Sequence, residues 1–297
     1  MARKTEAWPA RFAALLAQGK REDALAALDA RATGHAGTAT AADKRAAAKA
    51  IAKQTTGEEA LWAWTRELAS AESPTRRELA CVLLAGQYAA HPKDVEKLIV
   101  ALSDDAHWEV RLWSGGLLTE LLADHFDALY PRCERWRAHR SPFVRVAIAT
   151  SVMAKEQRTH PERAEKLLDL IEPLLSDEAH EVARNLGPFA VGAALLRMFP
   201  DATLRRVRRW ARSKDEQTRW NVAMVFVAAE ARKHPDVALE MLSELARDPR
   251  RRVQQAVGSA LRNLAKGDPG RVVPAVRPWL KDERKLAAAL GLRGIAK

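Results

Sequence analysis

A chain of 297 residues, 47% of them hydrophobic, is long enough for one large domain or two small ones and can bury a sizeable core. Its 49 basic and 38 acidic residues leave a net charge of +11, which points to an anionic partner such as nucleic acid, or reflects only the Arg-rich habit of a GC-rich genome. Alanine and leucine dominate, Tyr occurs twice and no run alternates β-branched with polar residues, which excludes a substantial sheet and implies an all-α chain. No apolar run reaches the length of a membrane span, and MARKTEAWPA has no signal-peptide core, so a cytoplasmic protein without a membrane partner is expected.

In chain order, Trp8 to Leu28 reads as one helix or as a helix broken at Gly19. Residues 31–41, RATGHAGTATA, read as a mobile linker, so that 1–42 forms an N-terminal helix and linker and 43–297 the main body. Helical periodicity resumes at Asp43 and breaks at Thr55-Thr56-Gly57. Further helices are expected over Glu58–Leu68, Thr75–Ala90, Lys93–Leu102, Trp108–Leu122, Phe126–Ala138 and Ser141–Lys155. They continue over Pro161–Leu175, Glu181–Met198 with a kink at Gly187-Pro188, Asp201–Arg212, Glu216–Lys233, Pro235–Ala246, Val253–Ala265, Gly270–Leu280 and Arg284–Ile295. The histidines of the His-Pro steps (His91, His160, His234) sit at helix ends, where proline stops one helix and presets the next, and are not candidates for general bases.

The segment Asp248 to Val273 gives the pattern its frame. Val253, Val257, Ala260, Leu261 and Leu264 form an apolar stripe, while Arg252, Gln255, Arg262 and Lys266 occupy the opposite face, and such a helix needs a neighbour of the same kind. Turn-forming acids precede second helices at Asp105, Asp177, Asp215, Asp248 and Asp282, the last four 38, 33 and 34 residues apart. A period in the thirties with two helices per unit is the signature of a right-handed α-solenoid of HEAT-like helical hairpins, about seven of them, C-shaped with a basic concave face.

Three features carry candidate chemistry. Arginines recur at the start of second helices, namely Arg111, Arg145, Arg184, Arg219 and Arg252; stacked in a ladder they would follow a phosphodiester backbone, or else pair with the aspartate of the neighbouring repeat. From Arg197 to Arg252 fourteen Lys/Arg face eight Asp/Glu, with the excess concentrated in RRVRRWARSK and RDPRRR. Nine tryptophans are interleaved with these arginines, and Trp108, Trp113 and Trp220 are the best placed to stack on bases or attract a cationic ring. Cys81 and Cys133 lack partners at metal-ligand spacing and read as buried thiols, so no metal is expected. There is no phosphate loop, dinucleotide fingerprint, nucleophile elbow or zinc motif, so no cofactor is expected and no motif supports a nucleotide-binding enzyme or a hydrolase.

AVGSALRNLAKGDPGRV with the closing DERKLAAALGLRGI, RRELACVLLAGQY, HWEVRLW and FVRVAIA together resemble the HEAT-like DNA alkylation repair proteins, the superfamily of alkylpurine DNA glycosylases. The resemblance spans about residues 60–295, with extra material near Asn185 to Lys214. It implies a DNA-binding solenoid in which Trp108 is the cleft tryptophan and Arg145 a DNA-facing arginine. The family's catalytic aspartate falls where this chain has Leu112, and its second cleft tryptophan where the chain has Ser259, so this would be a divergent member. That aspartate would stabilise an oxocarbenium-like sugar; Glu109, next to Trp108, is the nearest substitute, with Glu120 and Asp124 further along the helix. The expectation is a monomer that holds double-stranded DNA, with alkylpurine excision through Trp108 and Glu109 as the activity the family implies. The alternatives are a non-catalytic protein-interaction scaffold and a protein that recognises DNA structure.

Overall fold

Proline and glycine fix the helix boundaries. Among the described residues seven α-helices carry a proline in their first two positions, where the missing N–H costs nothing and φ is already helical. Gly19 and Gly57, at φ 75° and 94°, occupy the left-handed region that separates the first two helices and begins the fourth.

The computed structural model describes residues 7–33 and 35–293, and among them every regular element is helical. The end of the helix expected to reach Ile295, Gly34 of the linker and the first six residues lie outside the described residues. The helices are α1 (Trp8–Ala17), α2 (Arg21–Asp29), α3 (Ala41–Gln54), α4 (Glu58–Ala69), α5 (Pro74–Leu84), α6 (Pro92–Ser103), α7 (Trp108–Asp124), α8 (Phe126–Trp136) and α9 (Pro142–Ser151). They continue as α10 (Ala164–Ile171), α11 (His180–Asn185), the short turn α12 (Leu196–Met198), α13 (Pro200–Ala211), α14 (Glu216–Val225), α15 (Pro235–Leu245), α16 (Arg251–Gly267), α17 (Pro269–Val276) and α18 (Lys285–Leu292). The chain divides into two compact units, Met1–Leu121 and Leu122–Lys297, the division falling within α7.

In the first unit α1 packs on α2 and α3, α2 on α5, and α5 on α3 and α4. Phe12, Leu25 and Leu28 of the N-terminal helices are buried there. Lys44 of α3 and Glu78 of α5 form a buried ion pair, and the Lys44 ammonium lies 4.4 Å from the ring centre of Trp113 on α7. Ser114 of α7 bonds Ser103 at 2.9 Å and the Ile99 carbonyl at 3.0 Å, which fixes α7 against α6.

In the second unit the second helices, α9, α11 with its continuation, α14, α16 and α18, pack side by side in one row, while α10, α13, α15 and α17 form another. Tyr130 of α8 and Arg137 just after it donate to the carbonyls of Lys166 and Asp169, tying α8 to α10. At Gly187-Pro188, where a kink is expected, α11 continues into a π-helical stretch, Leu186–Leu195; Pro188 has no N–H to give, and the ladder loosens around it. That stretch lies directly on α14, because a Cβ at Gly187 or Gly192 would stand 2.6 Å from the Asn221 carbonyl or 2.5 Å from that of Val225. The helix expected over Glu216–Lys233 ends at Val225, and the Asn263 side chain of α16 takes the carbonyls of Phe226 and Ala228 at 3.0 and 2.8 Å, satisfying the break.

The apolar stripe of α16 is the core of this unit. Val253, Val257, Ala260, Leu261 and Leu264 are all at most 2% exposed, and each large one contributes roughly 1.5–3 kcal/mol by leaving water. α16 and α18 meet through Gly258 and Gly291, whose missing Cβ atoms would fall 2.6 Å from Leu290 and 2.7 Å from Leu261. Gly258→Ala therefore pushes α18 off its seat, and thermal unfolding is expected to show a loss of about 1–3 kcal/mol; an unchanged melting temperature would contradict this packing.

Candidate nucleic-acid interface

The repeated aspartates do the same local work each time. Asp105, Asp177, Asp248 and Asp282 accept the backbone N–H two residues on, at 2.8 to 2.9 Å, and Asp215 takes the N–H of Thr218 at 2.7 Å. They satisfy donors that the start of a helix leaves without partners. Three of these carboxylates also receive an arginine from the preceding second helix. Arg77 grips Asp105 with two hydrogen bonds of 2.7 and 2.9 Å, Arg145 grips Asp177 at 2.5 and 3.0 Å, and Arg219 pairs with Asp248 at 2.5 Å. The same guanidiniums cap helix ends, Arg145 on the carbonyls of His139 and Arg140, Arg219 on that of Ala211.

The arginines expected to form a DNA-facing ladder thus divide into two kinds. Arg145 and Arg219 are struts between successive hairpins, and Arg111 donates to the carbonyls of Asp105 and Ala106 at 2.7 and 3.0 Å. Arg184 and Arg252 are exposed and, among the described residues, have no carboxylate partner; the Arg252 guanidinium lies 4.9 Å from the ring centre of Trp220. Around Arg252, α16 presents Arg251, Gln255, Arg262 and Lys266 on its exposed face, and the whole helix contains no Asp or Glu. Ser259, at the edge of that face, accepts from Arg262 at 3.2 Å.

In the other arginine-rich stretch the four arginines of α13 are neutralised where they stand, while Arg212 and Lys214 just beyond it are exposed. Arg206 of α13 bonds Asp169 at 2.6 Å and Glu172 at 2.8 Å and also pairs with Glu165; Arg205 pairs with Glu165, Arg209 with Glu172, and Arg208 with Glu240 at 3.0 Å. An acidic face on α10 and the turn after it matches the basic face of α13. That compensation is invisible in a running charge count, because the partners lie 32 to 41 residues away.

In the first unit, Trp108 and Leu112 project side by side from the first turns of α7, 45% and 62% exposed. The Trp108 indole is flanked by two imidazoles, His107 with centroids 6.4 Å apart and His35 edge-on at 6.1 Å. Glu109 points elsewhere. It shares a helix face with half-buried Trp113, which is packed against Lys44, and its negative charge bears on Glu78. Burial pushes the Glu78 carboxyl up against the pull of Lys44, and Glu109 adds to the rise. One Glu78 oxygen has no hydrogen bond and lies 4.0 Å from the likewise unbonded Nδ1 of His107. The two expected catalytic residues therefore face different directions, and the positions one and two turns beyond Trp108 on its own face, Leu112, Gly115 and Gly116, bear no carboxylate.

Sequence reasoning missed two features. Phe189, 51% exposed, stands out from the π-helical stretch, and the only signal for it was the expected disturbance at Pro188. On α3, Arg45, Lys49 and Lys53 form an exposed row at four-residue spacing, with no carboxylate partner among the described residues. No group of three or more His, Cys, Asp or Glu placed to hold a metal occurs among the described residues, and none of their helices is long and apolar enough to cross a membrane.

The α16 region is where comparison with known proteins is informative. Residues 188–293 match the family of DNA alkylation repair enzymes. The resemblance expected from AVGSALRNLAKGDPGRV is borne out over that range, which holds Arg219, Trp220, Arg252 and Ser259 and also takes in most of the stretch near Asn185 to Lys214 read as extra material. Trp108, Glu109, Leu112 and Arg145 lie outside it. No curated protein matches the chain. Among solved structures, the chain is similar to YibA of Escherichia coli, at 14% identity over 99% of this chain and 98% of that one, with a TM-score of 0.42.

The strut at Asp248 makes a pH prediction. Burial opposes its ionisation, but the hydrogen bonds from Arg250 and the charges of Arg219 and Arg250 override it and hold the carboxyl at about 2. A carboxyl lowered on folding stabilises above its unfolded value and loses that contribution as pH falls, here about 2 kcal/mol between roughly pH 4 and pH 2. Denaturant unfolding across that range should fall more steeply for the wild type than for Asp248→Asn; parallel profiles would show that the pair contributes nothing.

Proposed function

We propose that the protein is a right-handed α-solenoid of HEAT-like hairpins that binds duplex DNA as a monomer, a divergent relative of the DNA alkylation repair enzymes. The phosphodiester backbone would run along the exposed cations of the second helices, with Arg184, Arg252 and the α16 stripe as its main contacts. The observation that carries this reading is α16 itself, a helix with four exposed cations, no acid, and an Arg–Trp pair at its start, inside the segment that matches the repair family. The arginines of α13 are paired with carboxylates, whereas the row on α16 is not, and such a row carries a self-repulsion that an anion would relieve.

Excision is a weaker part of the resemblance. Glycosidic bond cleavage needs negative charge beside the developing oxocarbenium-like sugar, and Leu112 cannot provide it while Glu109 is turned toward Glu78. Recognition without cleavage is the function this arrangement supports best. A protein-interaction scaffold is favoured by one observation only, that Arg145 and Arg219 act as struts.

The test is the affinity of a fluorescent 25-base-pair duplex for wild type and for Arg251→Gln/Arg252→Gln/Arg262→Gln/Lys266→Gln. The wild type should bind with strong salt dependence, and the variant should bind at least about tenfold more weakly with a slope shallower by roughly 3 to 4. Equal affinity, or a stoichiometric protein partner with no duplex binding at low salt, would overturn it. Methylated purines should not be released from alkylated duplex at protein excess; release that depends on Trp108 would replace recognition by catalysis.

A further inference from the structure

Of the six phenylalanines only Phe189 is exposed; Phe143 is half-buried and the other four are buried. A firm seat, not a loose loop, holds it there. Gly187 and Gly192, on either side of it, rest so closely on α14 that neither has room for a Cβ, and this fixes the π-helical stretch that carries the ring. Such stretches give up good backbone hydrogen bonding and are frequent at functional sites.

A second ring stands on the neighbouring helix. The missing Cβ of Gly187 would lie 2.9 Å from that of Met224, half-buried on α14, and half-buried Trp220 is one turn before Met224 on the same face. Phe189 and Trp220 thus flank one contact between the two helices, and α14 lies in turn on α16, whose Arg252 is 4.9 Å from the Trp220 ring centre. Cations border the pair, with Arg184 five residues before Phe189 and Arg251, Arg252, Arg262 and Lys266 on α16, all exposed. Two half-buried acids, Glu181 and Glu216, stand one turn before Arg184 and Trp220, against these five exposed cations.

The cations and the rings select different features of a nucleic acid. A row of cations is met by any phosphodiester backbone. An exposed ring is met by the flat face of a base, and inside an intact duplex those faces are covered by one another. A single strand leaves its phosphates and its base faces open together. Sequence-tolerant single-strand binding is built in this way, from a basic groove set with aromatic side chains.

We propose that this face of the second unit binds single-stranded DNA, with bases stacked on Phe189 and Trp220 and the backbone held by Arg184 and the cations of α16. The proposal goes beyond duplex binding and rests on the same reading of α16 as a phosphate-holding helix. Duplex and single strand share the α16 cations, and only the single strand uses Phe189.

The experiment measures binding of the full-length protein to a fluorescent 25-nucleotide oligothymidylate, to a strand of the same length built of tetrahydrofuran units, which keeps the phosphates and lacks the bases, and to the 25-base-pair duplex. Wild type should prefer oligothymidylate over the baseless strand by about tenfold, the effect of one stacked base. Phe189→Ala should lower that preference at least about threefold and leave duplex affinity unchanged, which also reports that the variant is folded. Phe189 is 51% exposed, so the truncation opens no cavity. Phe189→Tyr, which keeps the ring, should keep the preference. No preference in wild type, or an undiminished one in Phe189→Ala, with the duplex still bound, would overturn this proposal alone. Oligothymidylate bound with that preference and no duplex bound would uphold it and overturn the duplex reading; failure to bind any of the three would sink both.

Discussion

The arginine–aspartate strut is the interaction on which the architecture depends. Each aspartate stands before a second helix, where it takes up a backbone donor that the helix would otherwise leave bare, and at Asp105, Asp177 and Asp248 it also receives an arginine from the hairpin before. One side chain thus starts a helix and sets its distance from the previous one. Because these groups are largely shielded, losing one partner would strand a charge in a poor dielectric, and the pairing is correspondingly strict.

That strictness bears on function. An arginine committed to an aspartate and two carbonyls has few donors left for a phosphate, so the candidates for binding are the cations that the struts leave over. In the second unit these include Arg184, Arg251, Arg252, Arg262 and Lys266, and in the first Arg45, Lys49 and Lys53. The arginines of α13 are cancelled by carboxylates of α10, the turn after it and Glu240, which leaves them less free for a phosphate than the cations of α16.

Much of the fold was legible in the sequence. Proline and glycine mark where helices begin and end, three- and four-residue spacing marks the buried stripe of α16, and the recurring aspartates mark the hairpin period, all of which are local signals. The site was legible only in part. Whether Arg145 reaches a phosphate or Asp177 depends on a residue 32 positions away, and the neutralisation of Arg206 depends on carboxylates at similar distance. The π-helical stretch escaped notice because proline announces a disturbance but not its form, which is set by how closely Gly187 and Gly192 let the backbone approach α14. The direction of Glu109 followed from what Trp113 packs against, and no spacing rule on α7 alone contains that information.

The central claim is that the exposed face of α16, and not the row formed by α10, α13, α15 and α17, meets DNA. Gln255→Cys and Glu240→Cys place single reactive thiols on the two rows of the second unit, and the native Cys81 and Cys133 are buried and should not compete for label. With a benzophenone attached to each, irradiation in the presence of duplex DNA should cross-link the strand from position 255 and leave position 240 unlinked. Cross-linking from 240 as strong as from 255, or from neither while the duplex remains bound, would contradict the account.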